Sequence, residues 1–191
     1  KGTGLVGYNV QAVVDAKHHL IVAHEVTNVG SDRAQLSKMA GTAREAMGKH
    51  RLQAIADRGY FSGAEILACT EVGITPLVPK PMTSNAKAEG RFSKNDFIYI
   101  AKDDQYQCPA NERAIFRFAR MEDDLMVRIY WTSACPRCPI RNQCTTSQYR
   151  RIRRWDREEV LEAMQRRLDR QPRAMTLRRR TIEHVFGTLK Q

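Results

Sequence analysis

Polar and apolar residues alternate over residues 6–14 (VGYNVQAVV), which puts Tyr8, Val10, Ala12 and Val14 on one side of an extended chain. Residues 19–27 (HLIVAHEVT) repeat the pattern with Leu20, Val22 and Val26, and the intervening DAKH has turn composition, so the pair predicts a β-hairpin. From Ser31 the period lengthens: Leu36, Met39, Ala40, Ala43 and Met47 recur at helical spacing within residues 31–49, with Ser31 as the capping residue. LQAIA at 52–56 is short and continuous, as a buried strand is, and it ends on Asp57. Ser62 and Glu65 form a capping-box pattern ahead of Ile66, Leu67 and Cys69. Gly73 closes that helix and ITPLV at 74–78 returns to strand, so the stretch predicts a βαβ unit.

Regular periodicity is lost between about 80 and 150, where PKPMTSNAKAEG reads as a loop and a cysteine-bearing segment follows. It resumes at Asp156, which with Glu159 resembles a second capping box ahead of Val160, Leu161, Met164 and Leu168, and Pro172 stops that helix. Residues 174–190 carry Ile182, Val185, Phe186 and Leu189, the stripe of a helix packed on a core. The expected organisation is a core begun by residues 1–80, interrupted by an insertion over 81–150, and completed by C-terminal helices over 151–191.

Length and charge sharpen this picture. A chain of 191 residues with 42% hydrophobic content can bury one full core with a small appended module. Its net charge is +11, and twelve arginines against five acids between residues 150 and 180 account for seven of those charges. Such a concentration points to phosphate, since each neutralised phosphate releases condensed counterions; a solvated helix face is the plainer alternative. No run approaches the roughly 18 apolar residues of a membrane span, and the first residues carry no signal-peptide pattern, so a soluble, cytoplasmic protein is expected. Starting at Lys1 and stopping within the helical pattern GTLKQ, the chain reads as a fragment of something longer.

Two acids carry candidate chemistry. Asp57 leaves a buried strand, where an unpaired charge costs several kcal/mol unless a cation or a metal answers it. At about 100° per residue, Arg179, Glu183, Gly187 and Lys190 fall in one stripe of the last helix, at the border of its apolar face. Two carboxylates are the minimum for a divalent ion that keeps open positions for water and phosphate. The plain alternative pairs Glu183 with Arg179 along the helix and leaves Asp57 as a helix cap.

GYNVQAVVD, HLIVAHEVTNVGSD, ADRGYFS and RRRTIEHVFGTLK, in this order, resemble the catalytic domain of DDE transposases of bacterial insertion sequences. The resemblance implies an α/β, RNase H-like mixed sheet with flanking helices, and a metal-dependent enzyme that hydrolyses phosphodiesters at transposon ends and joins the freed 3′ hydroxyl to target DNA. It implies Asp57 as the second catalytic acid and Arg179, Glu183 and Lys190 as the R-x3-E-x6-K pattern of the third, with Mg²⁺ or Mn²⁺ as cofactor. Arg178 and Arg180 join Arg179 and Lys190 as expected DNA contacts, and a homodimer would bring two ends together. Thr176 stands where the fuller pattern has Tyr. The family's first acid ends a strand upstream of the hairpin, so the chain is expected to lack its first strand and that Asp, and to be inactive in isolation. Asp15 is the alternative, read as a turn residue, and Asp32 is read as a helix-start acid.

Cys108, Cys135, Cys138 and Cys144 give C-x26-C-x2-C-x5-C. A C-x2-C turn offers two thiolates to one face of a tetrahedral Zn²⁺ and two further cysteines close the site; reduced free thiols and a redox pair are the alternatives. Cysteine-bearing insertions in one branch of the same family favour zinc. Cys69 reads as a core residue. Tyr130, Trp131, Tyr149 and Trp155 can stack on unpaired bases or pack the insertion's core, and core packing is the preferred reading for Trp131. His184, after Glu183, is a candidate DNA contact or a plain surface histidine. A non-catalytic DNA-binding remnant remains the competing function, and a nuclease without strand transfer a third.

Overall fold

The structure is a computed structural model that describes residues 7–81, 86 and 88–189, without the side chains of residues 184, 188 and 189. The chain forms two compact units, Lys1–Pro81 with Glu159–Gln191, and Met82–Glu158.

In the first unit, β1 (Asn9–Val14) and β2 (Ile21–Thr27) form an antiparallel hairpin in which Gln11 faces Glu25 and Val13 faces Ala23. Its turn is held by Asp15, whose carboxylate accepts the His18 N–H at 2.7 Å and whose N–H donates to the Leu20 carbonyl at 2.8 Å. The buried face is the reverse of the one the alternation suggests. Gln11 is 2% exposed and Ala23 is buried, while Tyr8 (75%), Val10 (46%), Leu20 (64%) and Val26 (58%) face outward. The cause is local: α1 (Leu36–Ala46) presents Met39 and Ala43 to Ala23 and Val13, and Gln11 finds polar partners inside.

α1 buries Leu36, Met39, Ala40 and Ala43, the positions its period marks. It starts later than expected, because Ser31 caps a separate 3-10 turn, Asp32–Ala34. β3 (Leu52–Ile55) and β4 (Ile74–Leu77) run parallel, joined by α2 (Gly63–Glu71), and Gly73 takes the left-handed φ of +80° that closes α2. The expected box between Ser62 and Glu65 does not form. Glu65 instead accepts both the N–H and the hydroxyl of Ser37 at 2.8 Å, answering a free N–H in the first turn of α1.

Leu36, Ala40, Ile66, Cys69, Ile74 and Val78 form the core with Met164 of α3 (Glu158–Arg170). Burial pushes the Cys69 thiol up to about 12, consistent with a core residue. The last helix, α4 (Ala174–Leu189), buries Ala174 and Thr181.

The second unit holds regular structure that periodicity does not announce. β5 (Ile98–Ile100), β6 (Gln105–Gln107), β7 (Arg113–Glu122), β8 (Leu125–Trp131) and β9 (Ile152–Trp155) form an antiparallel sheet in that order. The two-residue turn between β7 and β8 puts Asp123 and Asp124 at φ 49° and 60°, the left-handed pair a tight hairpin requires. Phe97, Tyr106, Ala114, Tyr130 and Ile152 make its core.

Candidate active site and cysteine cluster

Asp57 stands two residues beyond β3 and begins the 3-10 turn Arg58–Tyr60, where Oδ1 accepts the Gly59 N–H at 2.8 Å. Its Oδ2 accepts from Arg178 Nη2 of α4 at 2.8 Å. Asp32 lies beside it: a Cβ built on Gly59 would stand 2.9 Å from Asp57 Oδ1 and 3.5 Å from Asp32 Oδ2. Any side chain at position 59 would therefore press on Asp57.

Asp32 is part of a larger network. Its Oδ1 accepts from Asn9 Nδ2 and from Gln11 Nε2, each at 2.7 Å, and Tyr60 donates its hydroxyl to Gln11 Oε1. Burial, then the negative charges of Asp32 and Asp57, push the Tyr60 hydroxyl up to about 12, so it stays a proton donor. Asp32 opens a 3-10 turn, in keeping with the helix-start acid that the sequence predicts. Its place beside Asp57 is a tertiary fact, and its one sequence signal is the pair of amides, Asn9 and Gln11, on the inward face of an otherwise apolar strand. Asp15 is at the other end of β1, about 20 Å from Asn9 at strand rise, with its carboxyl held below its usual range chiefly by the His18 N–H.

Asp57 and Asp32 open onto a cavity of about 380 Å³. It is lined by every residue from Asn9 to Ala16 and every residue from Leu52 to Asp57. A strand shows alternate residues from its face but all of them from its edge. The cavity is thus bounded by the edges of β1 and β3, each of which pairs, among the described residues, with one strand, β2 and β4 respectively. The C-terminal end of β3, at Asp57, thus lies near the N-terminal end of β1, where Asn9 holds Asp32.

α4 sends Leu177, Arg178, Thr181, Ile182 and Phe186 into the same cavity. Glu183 is exposed and is not among the lining residues. At about 100° per residue it lies on the side of α4 away from Arg178 and Thr181, because Ala174, Arg178 and Thr181, rather than the apolar stripe alone, turn inward. Arg178, read from sequence as a DNA contact, is the cation brought to Asp57, while Arg179 and Arg180 are exposed. Lys190 and the His184 side chain lie outside the described residues.

In the second unit Cys108, Cys135, Cys138 and Cys144 line one cavity of about 30 Å³, the space of a single small ion or water. Burial and the nearness of Cys135, Cys108 and Cys138 push the Cys144 thiol up to about 11, with Arg150 opposing. All four are free thiols. Among the described residues no three His, Cys, Asp or Glu side chains converge tightly enough to hold a metal ion as they stand. Tyr130 and Trp155 are buried, whereas Trp131 and Tyr149 are half-buried and Trp131 is not enclosed in the unit's core.

No described helix is long and apolar enough to cross a membrane. Comparison with curated proteins and with solved structures returns no match. A family model described as "Transposase DDE domain" matches residues 107–191, which include the four cysteines, α3, α4 and Glu183; Asp57 precedes the matched stretch. Residues 107–191 are thus similar to the transposase DDE domain family, over a stretch that takes in the Arg-rich last helix.

Proposed function

We propose that this chain provides catalytic-domain residues of a DDE transposase, which hydrolyses phosphodiesters at transposon ends and joins the freed 3′ hydroxyl to target DNA. The observation that carries the reading is the position of Asp57, an acid at the exit of a parallel strand that opens, with Asp32, onto a cavity bounded by two strand edges that have no partner among the described residues. In this reading the cavity accepts one more strand, from outside the described residues, parallel to β3 and antiparallel to β1, that ends on the first catalytic acid. The hairpin and the βαβ unit then share one mixed, RNase H-like sheet. Leu36, Met39 and Ala40 from α1 and Leu177, Ile182 and Phe186 from α4 offer that strand apolar walls, as a central strand requires.

Asp57 and Glu183 are the proposed catalytic acids and Mg²⁺ or Mn²⁺ ligands. When bound, such ions activate the attacking oxygen and stabilise the leaving one. The donor chemistry of Asp57 suits a hard cation, with Asp32 the nearest second carboxylate. Arg178 must release Asp57, and α4 must turn to bring Glu183 inward, a movement that entry of the additional strand against Leu177 and Ile182 can drive. Arg179, Arg180, Arg178 once released, and Lys190 are the proposed DNA contacts. Cys108, Cys135, Cys138 and Cys144 are the proposed ligands of a structural Zn²⁺, supported by four thiols around one ion-sized cavity; they would draw together on binding. Action on chromosomal DNA implies a cytoplasmic, nucleoid-associated protein, and synapsis of two ends implies a homodimer.

A non-catalytic DNA-binding remnant is the second reading, favoured by Arg178 on Asp57 and by the outward Glu183. Both are tested by Mg²⁺-dependent cleavage of end DNA with the full-length protein and its Asp57→Asn and Glu183→Gln variants. Loss of cleavage in both, with end binding retained, supports the enzyme. Cleavage at the unmodified rate in both variants sinks it, and a full-length protein that binds ends without cutting them is the remnant.

A further inference from the structure

The face of the β7–β8–β9 sheet opposite Tyr130 and Ile152 carries, beside the buried Ile129, an aromatic and arginine cluster that the catalytic reading does not use. The pairing of β7 with β8 shifts register between Phe116 and Phe118, so Arg117 is the bulged residue and its side chain is re-aimed. Its guanidinium lies over the Trp131 ring at 5.1 Å, pinned by Nε to the Trp131 carbonyl (3.2 Å) and by Nη2 to Ser133 Oγ (3.0 Å). Arg151 also approaches Trp131, at 5.8 Å. Around that ring stand Phe118, edge-on at 6.0 Å and 40% exposed, and Tyr149, tilted by 35° at 5.9 Å.

The pairing of Phe118 with Ile129, and of Ile129 with Arg153, puts Arg153 on the same face as Trp131, with Arg120 one pair further along. Among the described residues, four arginines there face one carboxylate, Glu122, which pairs with both Arg120 and Arg153. The arginines of the opposite face are engaged inside the unit: Arg128 bonds Asp104 and Arg154 stacks on Tyr99.

We infer that Phe118, Trp131 and Tyr149 with Arg117 and Arg151 form a stacking platform for single-stranded DNA. Every base has a π-face, which a ring or a guanidinium plane can stack on, and the surrounding excess of arginine suits the phosphates. An apolar protein partner would leave those guanidiniums without anionic partners. DNA is the expected nucleic acid because all five residues lie in the stretch that matches the transposase family. The inference is independent of the metal-site reading, since a chain unable to cleave would still stack bases here.

The test measures binding of labelled oligothymidylate of 15 nucleotides, a flush 15-base-pair duplex and poly-glutamate to the whole chain at two salt concentrations. Oligothymidylate is expected to bind tighter than duplex and to quench Trp131 emission in a Trp155→Phe background. Phe118→Leu and Tyr149→Leu, both at the surface, are each expected to weaken it by roughly 5- to 100-fold while leaving duplex binding within about twofold. Equal affinity for strand and duplex, both variants within about twofold of the unmodified chain, or poly-glutamate bound as tightly as DNA would each overturn the platform.

Discussion

Arg178 Nη2 stands 2.8 Å from Asp57 Oδ2, a contact between residues 121 positions apart that ties the last helix to the end of β3. The Asp57 side chain is 44% exposed and that of Arg178 22%, so solvent screens the pair. A double-mutant cycle with Arg178→Ala and Asp57→Ala, read by chemical denaturation, should give a coupling of about 0–1 kcal/mol. A coupling above about 2 kcal/mol would mean that the pair is desolvated, contrary to this geometry.

Gly59→Ala should act on Asp57 through space alone. The added methyl, 2.9 Å from Oδ1, displaces the carboxylate from the Gly59 N–H and from Arg178. On the catalytic reading, the variant should lose cleavage with a melting temperature changed by only a few degrees, since a displaced partly exposed carboxylate costs little stability. Wild-type cleavage in Gly59→Ala would show that Asp57 need not hold its observed position.

Gln11 is the internal hub of the network around Asp32. Gln11→Leu leaves the Tyr60 hydroxyl without its acceptor and removes a donor from Asp32, at a cost of about 1–3 kcal/mol. Urea denaturation measures it, and a neutral or stabilising change would mean that water replaces the amide.

Asp104 gives the second unit a pH dependence. Burial alone raises its carboxyl, but the hydroxyls of Tyr130 and Tyr99, with Arg128 and Arg154, outweigh burial and hold it below its usual range. A depressed folded value means that the unfolded chain binds the proton first as pH falls. The stabilisation is complete above the unfolded value near pH 4 and is lost as pH drops through the lower folded value. Asp104→Asn, which tolerates the left-handed φ of 49°, should flatten the decline of melting temperature below about pH 4. An unchanged acid limb would assign it to other groups.

The zinc reading predicts one Zn²⁺ per chain and proton release on binding, because thiols such as Cys144, now pushed up to about 11, must deprotonate. Affinity should therefore fall as pH falls. Cys138→Ser should lose the metal and lower the stability of the unit; equal zinc content in variant and unmodified chain would remove Cys138 from the site.

What was legible in the sequence followed from strong local periods. The stripe of Leu36, Met39, Ala40 and Ala43 marked the buried face of α1, and the short run 52–56 marked β3 and the acid after it. The hairpin face was misread because alternation reports two faces without saying which is covered, and Gln11 is buried by satisfying its amide rather than by being apolar. The antiparallel sheet of the second unit was illegible because β7, RAIFRFARME, alternates arginine with apolar residues whose side chains stay largely exposed, and because its Asp-Asp turn lacks glycine. Glu65 and Ser62 matched a local capping rule that a tertiary partner, Ser37, overrode.

By itself the sequence determined the elements whose burial repeats at a fixed period, the concentration of arginine in the C-terminal third, and the four cysteines of the second unit. Only tertiary structure decided that Asp32 stands beside Asp57, that Arg178 rather than Arg179 reaches it, and that the edges of β1 and β3 bound a cavity. Periods are set by each residue's own backbone geometry, whereas these contacts join residues tens of positions apart, and packing alone selects which of them meet.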